Sequence, residues 1–478
     1  MANTSFFIST AIPYVNAKPH IGFALELLQA DVIARYHRSL GEDVFFLSGT
    51  DENAIKNVQA AEAAGMEVLP FVKKTGESFV DLVHRLNVST DDFIKTSQDI
   101  RHKEGAQKLW GACKKEDIYK KTYKGLYCTG CEEFKTAKDL INGECPEHPG
   151  KKIEEVEEEN YFFKLSNYQK TLEELIESNT LRIIPEIRKN ETLAFIRGGL
   201  EDFSISRSNT RAKNWGIPVP GDESQMMYVW FDALSNYINA LGYAEGGENY
   251  QKYWVDGETM HVIGKGINRF HTIYWPAMLL SAGVPLPKEV MIHGYIVSGG
   301  QKMSKTLGNV IDPFEMIEAY GVDAVRLALL RHIPTFEDGD FTPEKMKEIY
   351  NADLVNGLGN LTSRIMKMAT TYGVVLGKTK GVEFPAVKEK LNSLHLSAAI
   401  SEIWVRIASL DSFIQKEEPF KKIKVDEEGA KKDVLFLLGE LRAIAEDLKI
   451  FLPETSKKII DLIKENKMPE SPLFPRKD

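Results

Sequence analysis

Cysteine is rare in this chain, with 4 among 478 residues. That is too few for a disulfide framework and suits a reducing compartment. Long apolar runs are missing as well. The best, around Trp275–Pro287, is short and broken by prolines, well under the roughly 20 residues that a membrane span needs. No basic stretch precedes the apolar residues of MANTSFFISTAIPYV, so a secretory signal is not expected. Neither a G-x-x-x-x-G-K-[ST] loop nor a G-x-G-x-x-G turn occurs, and Gly264-Lys265 runs on into Gly266. P-loop and dinucleotide readings therefore fail. Positive charge is not in excess: Lys+Arg 60 against Asp+Glu 69 leaves a net −9, so any nucleic-acid site must be a local patch. Repeats and low-complexity tracts are absent. A cytoplasmic protein without membrane segments is expected.

What is present is the balance of a globular protein, 43% hydrophobic and 27% charged, in a length that suggests about three domains. Phe6 to Ile12 reads as a strand. A helix follows from about His20, with Ile21, Ala24, Leu25, Leu28, Val32 and Tyr36 on one face and Pro19 suited to its first turn. Val44–Leu47 reads as a second strand, ending at Ser48-Gly49-Thr50-Asp51. Such a parallel β–α–β opening binds ligands beyond the carboxyl ends of its strands. From about Lys114 to Gln225 the pattern changes to closely spaced Cys and Gly, the charged run KKIEEVEEEN and short strand-like pieces, the marks of an insertion. The β–α rhythm resumes at Met227–Phe231, Met260–Ile263 and Val290–Val297. A helix from Ile267 carries Phe270, Tyr274, Trp275 and Met278, and Asp312-Pro-Phe-Glu315 opens another. Beyond Thr342 the pattern is helical. One long helix is expected through Leu391, Leu394, Ile400, Ile403, Ile407, Leu410 and Ile414, and another through Leu437–Phe451, stopped by Pro453.

Three clusters could carry chemistry. Cys128-Thr-Gly-Cys131 and Cys145-Pro-Glu-His148 form two short knuckles thirteen residues apart, a complete tetrahedral set for a structural Zn²⁺ with no open position for water. Such a metal is worth on the order of 10 kcal/mol to the fold of the insertion. Cys113 lies outside that set and is expected to be an inert packed thiol. Pro19-His20-Ile21-Gly22 stands at a helix start, where free N–H groups and the dipole suit phosphate. An imidazole there can donate to phosphate oxygens, and a glycine lets a flat ring approach; on these four residues alone a plain loop–helix junction is the better account. Ser298-Gly-Gly-Gln-Lys302-Met-Ser-Lys305-Thr306 is a glycine-rich loop with two lysines three apart. It could bring charge to a triphosphate attacked at its α-phosphorus, or be an ordinary solvated loop.

Taken together, HIG and KMSK resemble the two signatures of the class I aminoacyl-tRNA synthetases. TAIPYVNAKPHIG, GTDE at Gly49–Glu52, YVWFDAL at Tyr228–Leu234, FHTIYWPA at Phe270–Ala277 and HGYIVSGGQKMSK are similar to the methionyl-tRNA synthetase family, from about Phe6 to Phe420. The resemblance implies an α/β fold with a split Rossmann-type parallel-sheet catalytic domain. Its halves would be 1–114 and 226–342, separated by a zinc-bearing connective insertion at 115–225 and followed by an all-α anticodon-binding bundle at 343–478. It implies ligation of L-methionine to tRNA(Met) through methionyl-adenylate, for translation initiation and elongation, with Mg²⁺ accompanying ATP. His20, Gly22, Lys302 and Lys305 would bind and activate ATP. Asp51 would face the methionine ammonium, and Ala11, Ile12, Tyr14, Trp230, Tyr237, Ile267 and His271 would line the pocket for its thioether. Asn360 and Arg364, at i and i+4, with Phe420 as a stacking face, would read the anticodon.

The chain departs from the family pattern at several points. Phe23 stands where the second histidine of HIGH belongs, and Thr306 replaces a serine. Asn53-Ala54 replace His-Gly, Gly266 replaces an Asp, and Phe420 replaces a Trp. An inactive tRNA-binding paralogue and a class I enzyme for another amino acid are the rival readings. An insertion of roughly 110 residues leaves no room for a large editing domain, and a closed zinc does not fit an enzyme that binds cysteine through the metal. With no appended C-terminal barrel, a monomer is expected.

Overall fold

The computed structural model describes residues 4–128, 133–135, 139–146, 150, 152–303, 308–377 and 384–477. They fall into two compact units, Met1–Pro19, His37–Val83 and Ser89–His293 in one, and His20–Tyr36, His84–Val88 and Gly294–Asp478 in the other.

The first unit is built on a parallel sheet. Strands β1 (Ser5–Thr10), β2 (Asp43–Thr50) and β3 (Asp92–Lys95) are joined by Glu258–Gly264, Glu289–His293 and Arg182–Ile184 in the order β3, β2, β1, Glu258–Gly264, Glu289–His293, Arg182–Ile184. Every pairing is parallel, with Ile8 between Phe46 and Met260. The central strands carry runs of buried apolar residues, Phe6, Phe7 and Ile8 or Val262 and Ile263, as a sheet covered on both faces requires. The strand order reverses between β1 and Glu258–Gly264. The carboxyl end of β1 at Thr10 is thus the place where such a sheet leaves a ligand crevice.

The structure modifies three expectations about this unit. The sheet takes a strand, Arg182–Ile184, from inside the segment read as an insertion. Met227–Phe231 is not a strand: the antiparallel strand Asp222–Met227 ends there and Val229–Leu234 is helical. A short apolar run fits a buried strand and a buried helix equally well. Val290–Val297 splits at Gly294 into Glu289–His293 and Ile296–Ser298, which belong to different sheets. A side chain on Gly294 would come within 2.2 Å of the Glu337 backbone, so only glycine permits that approach.

Within the insertion, Ile118–Cys128 and Ile153–Phe163 form an antiparallel ladder along their full length. Residues 153–160 of the acidic run lie in the second of these strands. Lys120 reaches Glu159 at 3.4 Å and Lys124 reaches Glu155 at 3.8 Å, cross-strand charge pairs that let it pair as a strand.

The second unit starts with most of helix α1 (Ile21–Ser39), which begins two residues after Pro19. Its buried residues include Glu26, Gln29 and Asp31 besides the expected apolar face. The buried Asp31 carboxylate pairs with the guanidinium of Arg326 at 2.7 Å, and Arg326 also donates to the Phe451 carbonyl at 2.6 Å and the Leu86 carbonyl at 3.1 Å. The C-terminal region is helical as expected, with Asn360–Tyr372, Leu396–Glu417, Glu427–Phe451 and Pro453–Glu465 as its main helices. The long helix expected from Leu391 is two, Pro385–Asn392 and Leu396–Glu417. Leu394 between them has φ 59°, a left-handed backbone that no helix continues through. Asp312 caps Pro313–Tyr320 by accepting from the Phe314 N–H at 2.8 Å. Among the described residues no helix is long and apolar enough to cross a membrane.

Candidate active site

His20 sits just before the first turn of α1. Its Nδ1 accepts from the Gly22 backbone N–H at 3.0 Å. That bond fixes the tautomer: in the neutral ring the proton is on Nε2, which becomes a donor for an anion. A side chain on Gly22 would lie 2.9 Å from His20 Cε1 and 3.8 Å from the methyl of Met303, so glycine is required where the ring folds back. The Ile21 N–H donates to the Ile311 carbonyl at 3.1 Å. The helix start bearing His20 and Gly22 is therefore in contact with the segment around Lys302-Met303. Lys302 ends a hairpin of Ile296–Ser298 and Gln301–Lys302, exposed, with its ammonium 5.2 Å from the Tyr295 ring centre. Lys305 lies outside the described residues.

The residues expected to bind an amino acid gather in the first unit, around the end of β1. Tyr14 pairs with Asp51 in an isolated bridge, and the Asp51 N–H donates to the Pro13 carbonyl at 2.9 Å. Asp51 is buried. Ile12 borders Gly49, where an added side chain would meet its Cγ2 at 3.1 Å. Ala11, Trp230 and Ile267 are partly buried against the core that holds Tyr237. Tyr237 and His271 are fully enclosed and joined by a 2.7 Å hydrogen bond, Tyr237 Oη to His271 Nε2. His271 Nδ1 lies 3.0 Å from the Ile267 carbonyl, which can only accept. The imidazole is therefore protonated on Nδ1, and the tyrosine hydroxyl is the donor to Nε2. Burial pushes the His271 pKa down to about 4, against a smaller opposing effect of the Ile267 carbonyl. The ring is neutral at ordinary pH. His261, stacked obliquely 4.1 Å from Tyr237, is held well below its usual value by burial and by His271, and bonds Ser9 Oγ at 2.7 Å.

Two features around these residues escaped the sequence. Phe270 stacks on Trp230 with ring centres 3.7 Å apart and planes 6° from parallel, which fixes the indole as a wall. Its signal was its place beside His271 in FHTIYWPA. Beneath Asp51 runs a buried polar chain. The Asn53 N–H donates to Asp51 Oδ1 at 3.2 Å, the Asn53 side-chain amide donates to Asp232 Oδ2 at 2.8 Å, and Asp232 Oδ1 is bonded to His102 Nε2. Asn53, one of the departures from the family pattern, is thus a partner of Asp51.

Elsewhere, Asn360 is exposed and begins the helix whose Arg364 pairs with Asp411 at 2.6 Å. Phe420 is also exposed. Cys128 and Cys145 are fully buried thiols, whereas Cys131 and His148 lie outside the described residues. Among the described residues no group of three or more metal-ligating side chains is present, as expected with half the set outside them. Cys113 is buried against the Met278 carbonyl, and burial raises its thiol to about 12, an inert packed residue as expected.

The family model for class I tRNA synthetases (M) matches residues 6–157 and 148–366. Methionine--tRNA ligase of Brucella suis is 39% identical over 482 residues, covering 97% of this chain and 92% of its own. The Caldanaerobacter subterraneus protein of the same name is 42% identical over 475 residues, covering 96% of this chain and 73% of its own. Among solved structures, Mycobacterium tuberculosis methionyl-tRNA synthetase in complex with methionyl-adenylate matches with a TM-score of 0.89 at 33% identity, covering 99% of this chain and 100% of that one. The chain belongs to the class I methionyl-tRNA synthetase family.

Proposed function

We propose that this chain ligates L-methionine to tRNA(Met) in two steps, with ATP as the activating substrate. The observation that carries the reading is the approach of Met303, in the second signature, to Gly22 in the first, with Ile21 bonded to Ile311 beyond the described part of that loop. In the first step a methionine carboxylate oxygen attacks the α-phosphorus of ATP, the bond to the bridging oxygen breaks, and pyrophosphate leaves. His20 donates from Nε2 to a phosphate oxygen, and Lys302 and Lys305 bring positive charge to the pyrophosphate as its charge builds. Mg²⁺ enters with ATP as part of that substrate. In the second step a hydroxyl of the terminal adenosine attacks the methionyl carbonyl and AMP leaves. Positioning and charge stabilisation suffice, without a covalent enzyme intermediate.

Asp51 would take the methionine ammonium. Ala11, Ile12, Tyr14, Trp230, Tyr237, Ile267 and His271 would enclose the thioether, with Trp230 held by Phe270 and a neutral His271 that adds no charge to an apolar pocket. Asn360, Arg364 and Phe420 would read the anticodon, the arginine pre-oriented by Asp411. A cleft of about 670 Å³ is lined by aromatic faces such as Tyr123 and Phe162 and by charges of both signs, Lys121, Arg207 and Arg269 beside Asp139, Glu201 and Asp202. The buried pair Cys128 and Cys145 fits a thiolate-ligated metal, and we assign Cys128, Cys131, Cys145 and His148 as holders of a structural Zn²⁺. Segments 1–114 and 226–342 would serve catalysis, 115–225 would be the zinc-bearing connective insertion, and 343–478 would serve the anticodon. One copy supplies every group named, so the working unit is taken as a monomer acting in the cytoplasm. Acid-precipitable charging of a tRNA(Met) transcript with labelled methionine tests the reading. Charging that depends on ATP and on the CAU anticodon is expected; none at saturating methionine refutes it.

A further inference from the structure

The hairpin that presents Lys302 is slight. Its ladder consists of Val297 opposite Lys302 and Ser298 opposite Gln301, and its turn is Gly299-Gly300 with φ of 62° and 74°. An isolated pair of strands this short is marginal, and two glycines at the turn add conformational freedom. What borders it is the two-residue strand Gly339–Asp340, parallel to Ile296 and Val297. The Gly339 N–H donates to the Tyr295 carbonyl at 3.0 Å, and the Phe341 N–H donates to the Val297 carbonyl at 3.0 Å. Two carboxylates extend this grip. Asp338 Oδ1 accepts from the Tyr295 N–H at 2.8 Å, beneath the ring that Lys302 approaches. Asp340 Oδ1 accepts from the Gly300 N–H at 3.1 Å, at the turn itself. The second oxygen of Asp340 accepts from Lys345 Nζ at 2.6 Å. Lys345 first, then the Gly300 and Gly299 amides, hold the Asp340 carboxyl below the usual carboxylate range, so it is ionised whenever the enzyme works. Lys345 is itself fixed at the first turn of Pro343–Ile349, where its N–H donates to Thr342 Oγ1 at 3.3 Å.

We infer that Asp340, clamped by Lys345, is a positioning residue for methionyl-adenylate formation: by capping the Gly299-Gly300 turn it fixes the hairpin that presents Lys302 to the triphosphate. The inference rests on the function proposed above. Asp340 touches no substrate. It acts because a charge-assisted bond to a turn amide holds a geometry that glycine alone leaves loose, and small misplacements of a catalytic group are expensive in rate.

The test compares wild type with Asp340→Ala, Asp340→Asn and Lys345→Met in methionine-dependent ATP–pyrophosphate exchange, alongside amide hydrogen exchange at Gly300. Asp340→Ala should lower kcat by about 10- to 100-fold, the scale on which misplaced catalytic groups are felt. The KM for methionine should stay within about twofold, because no methionine-pocket group is altered. Asp340→Asn keeps an acceptor for Gly300 but loses the charge and should recover part of the rate, and Lys345→Met, which keeps the carboxylate, should lie nearer wild type. Gly300 should exchange faster in Asp340→Ala than in wild type. An unchanged kcat in Asp340→Ala, equal losses in the Ala and Asn variants, a methionine KM that rises in step with the loss of kcat, or unaltered Gly300 exchange would each overturn the inference. Failure of wild type to exchange label with methionine removes the functional reading itself, and the inference falls with it; that arm is read before any variant.

Discussion

Tyr237 and His271 illustrate how a single hydrogen bond sets the character of a pocket. Because the Ile267 carbonyl holds the proton on Nδ1, the ring presents a lone pair to Tyr237 and stays uncharged. Tyr237→Phe leaves that lone pair buried without its donor, a loss of about 1–3 kcal/mol. That loss falls on the fold and should appear as a lower urea midpoint, while in exchange kinetics the methionine KM should rise by more than the KM for ATP. The same burial has a consequence for stability. His271 has its pKa depressed to about 4 when folded, whereas the unfolded chain takes up a proton near 6.5. Between those values the unfolded state binds the extra proton, so stability rises with pH through that window and His271 adds nothing further above it. The full effect is roughly 3 kcal/mol. Urea titrations at pH 4.5, 5.5 and 7 should show a slope shallower by about one proton in His271→Gln than in wild type. Phe420 belongs to the same scale. Phe420→Ala should weaken tRNA binding by about 1–3 kcal/mol, the worth of one stacked base, and leave methionine-dependent pyrophosphate exchange unchanged.

Among the elements, those that announce themselves through local pattern were legible in the sequence. β1, β2, the start of α1, the Asp312 cap and the helix ended by Pro453 follow from periodicity, capping residues and proline. The errors have physical causes. Tyr228–Leu234 is apolar without a period, and nothing local separates a buried helix from a buried strand there. Leu394 adopts a left-handed backbone that an apolar count does not reveal. Of the candidate site, the contiguous stretches that carry His20, Gly22 and Lys302 were legible as motifs. The site was unreadable where partners are distant: Asn53 meets Asp232 across 179 positions and His102 meets Asp232 across 130. The insertion supplies a prediction at this scale. On the zinc site proposed for Cys128, Cys131, Cys145 and His148, removing the metal with a chelator should expose the ladder Ile118–Cys128 to Ile153–Phe163 to proteolysis, and inductively coupled mass spectrometry should find one zinc per chain beforehand.

At the level of the whole molecule, the C-terminal helices are tied to the helix that starts at the first signature. Arg326 is fully buried with Asp31 of α1 on one side and the carbonyls of Phe451 and Leu86 on the others. Arg326→Met leaves Asp31 with Arg35 as its remaining partner at 2.8 Å and strands both carbonyls, and should destabilise the fold by about 1–3 kcal/mol, seen as a lower urea midpoint. The central claim, however, is chemical: the chain activates methionine with ATP. The most direct measurement is isotope exchange between pyrophosphate and ATP, run separately with each of the twenty amino acids on the unmodified protein. Exchange driven by methionine and near background with leucine, isoleucine, valine and cysteine is the predicted result. Exchange driven by another amino acid, or none with any of them while tRNA still binds, would contradict it.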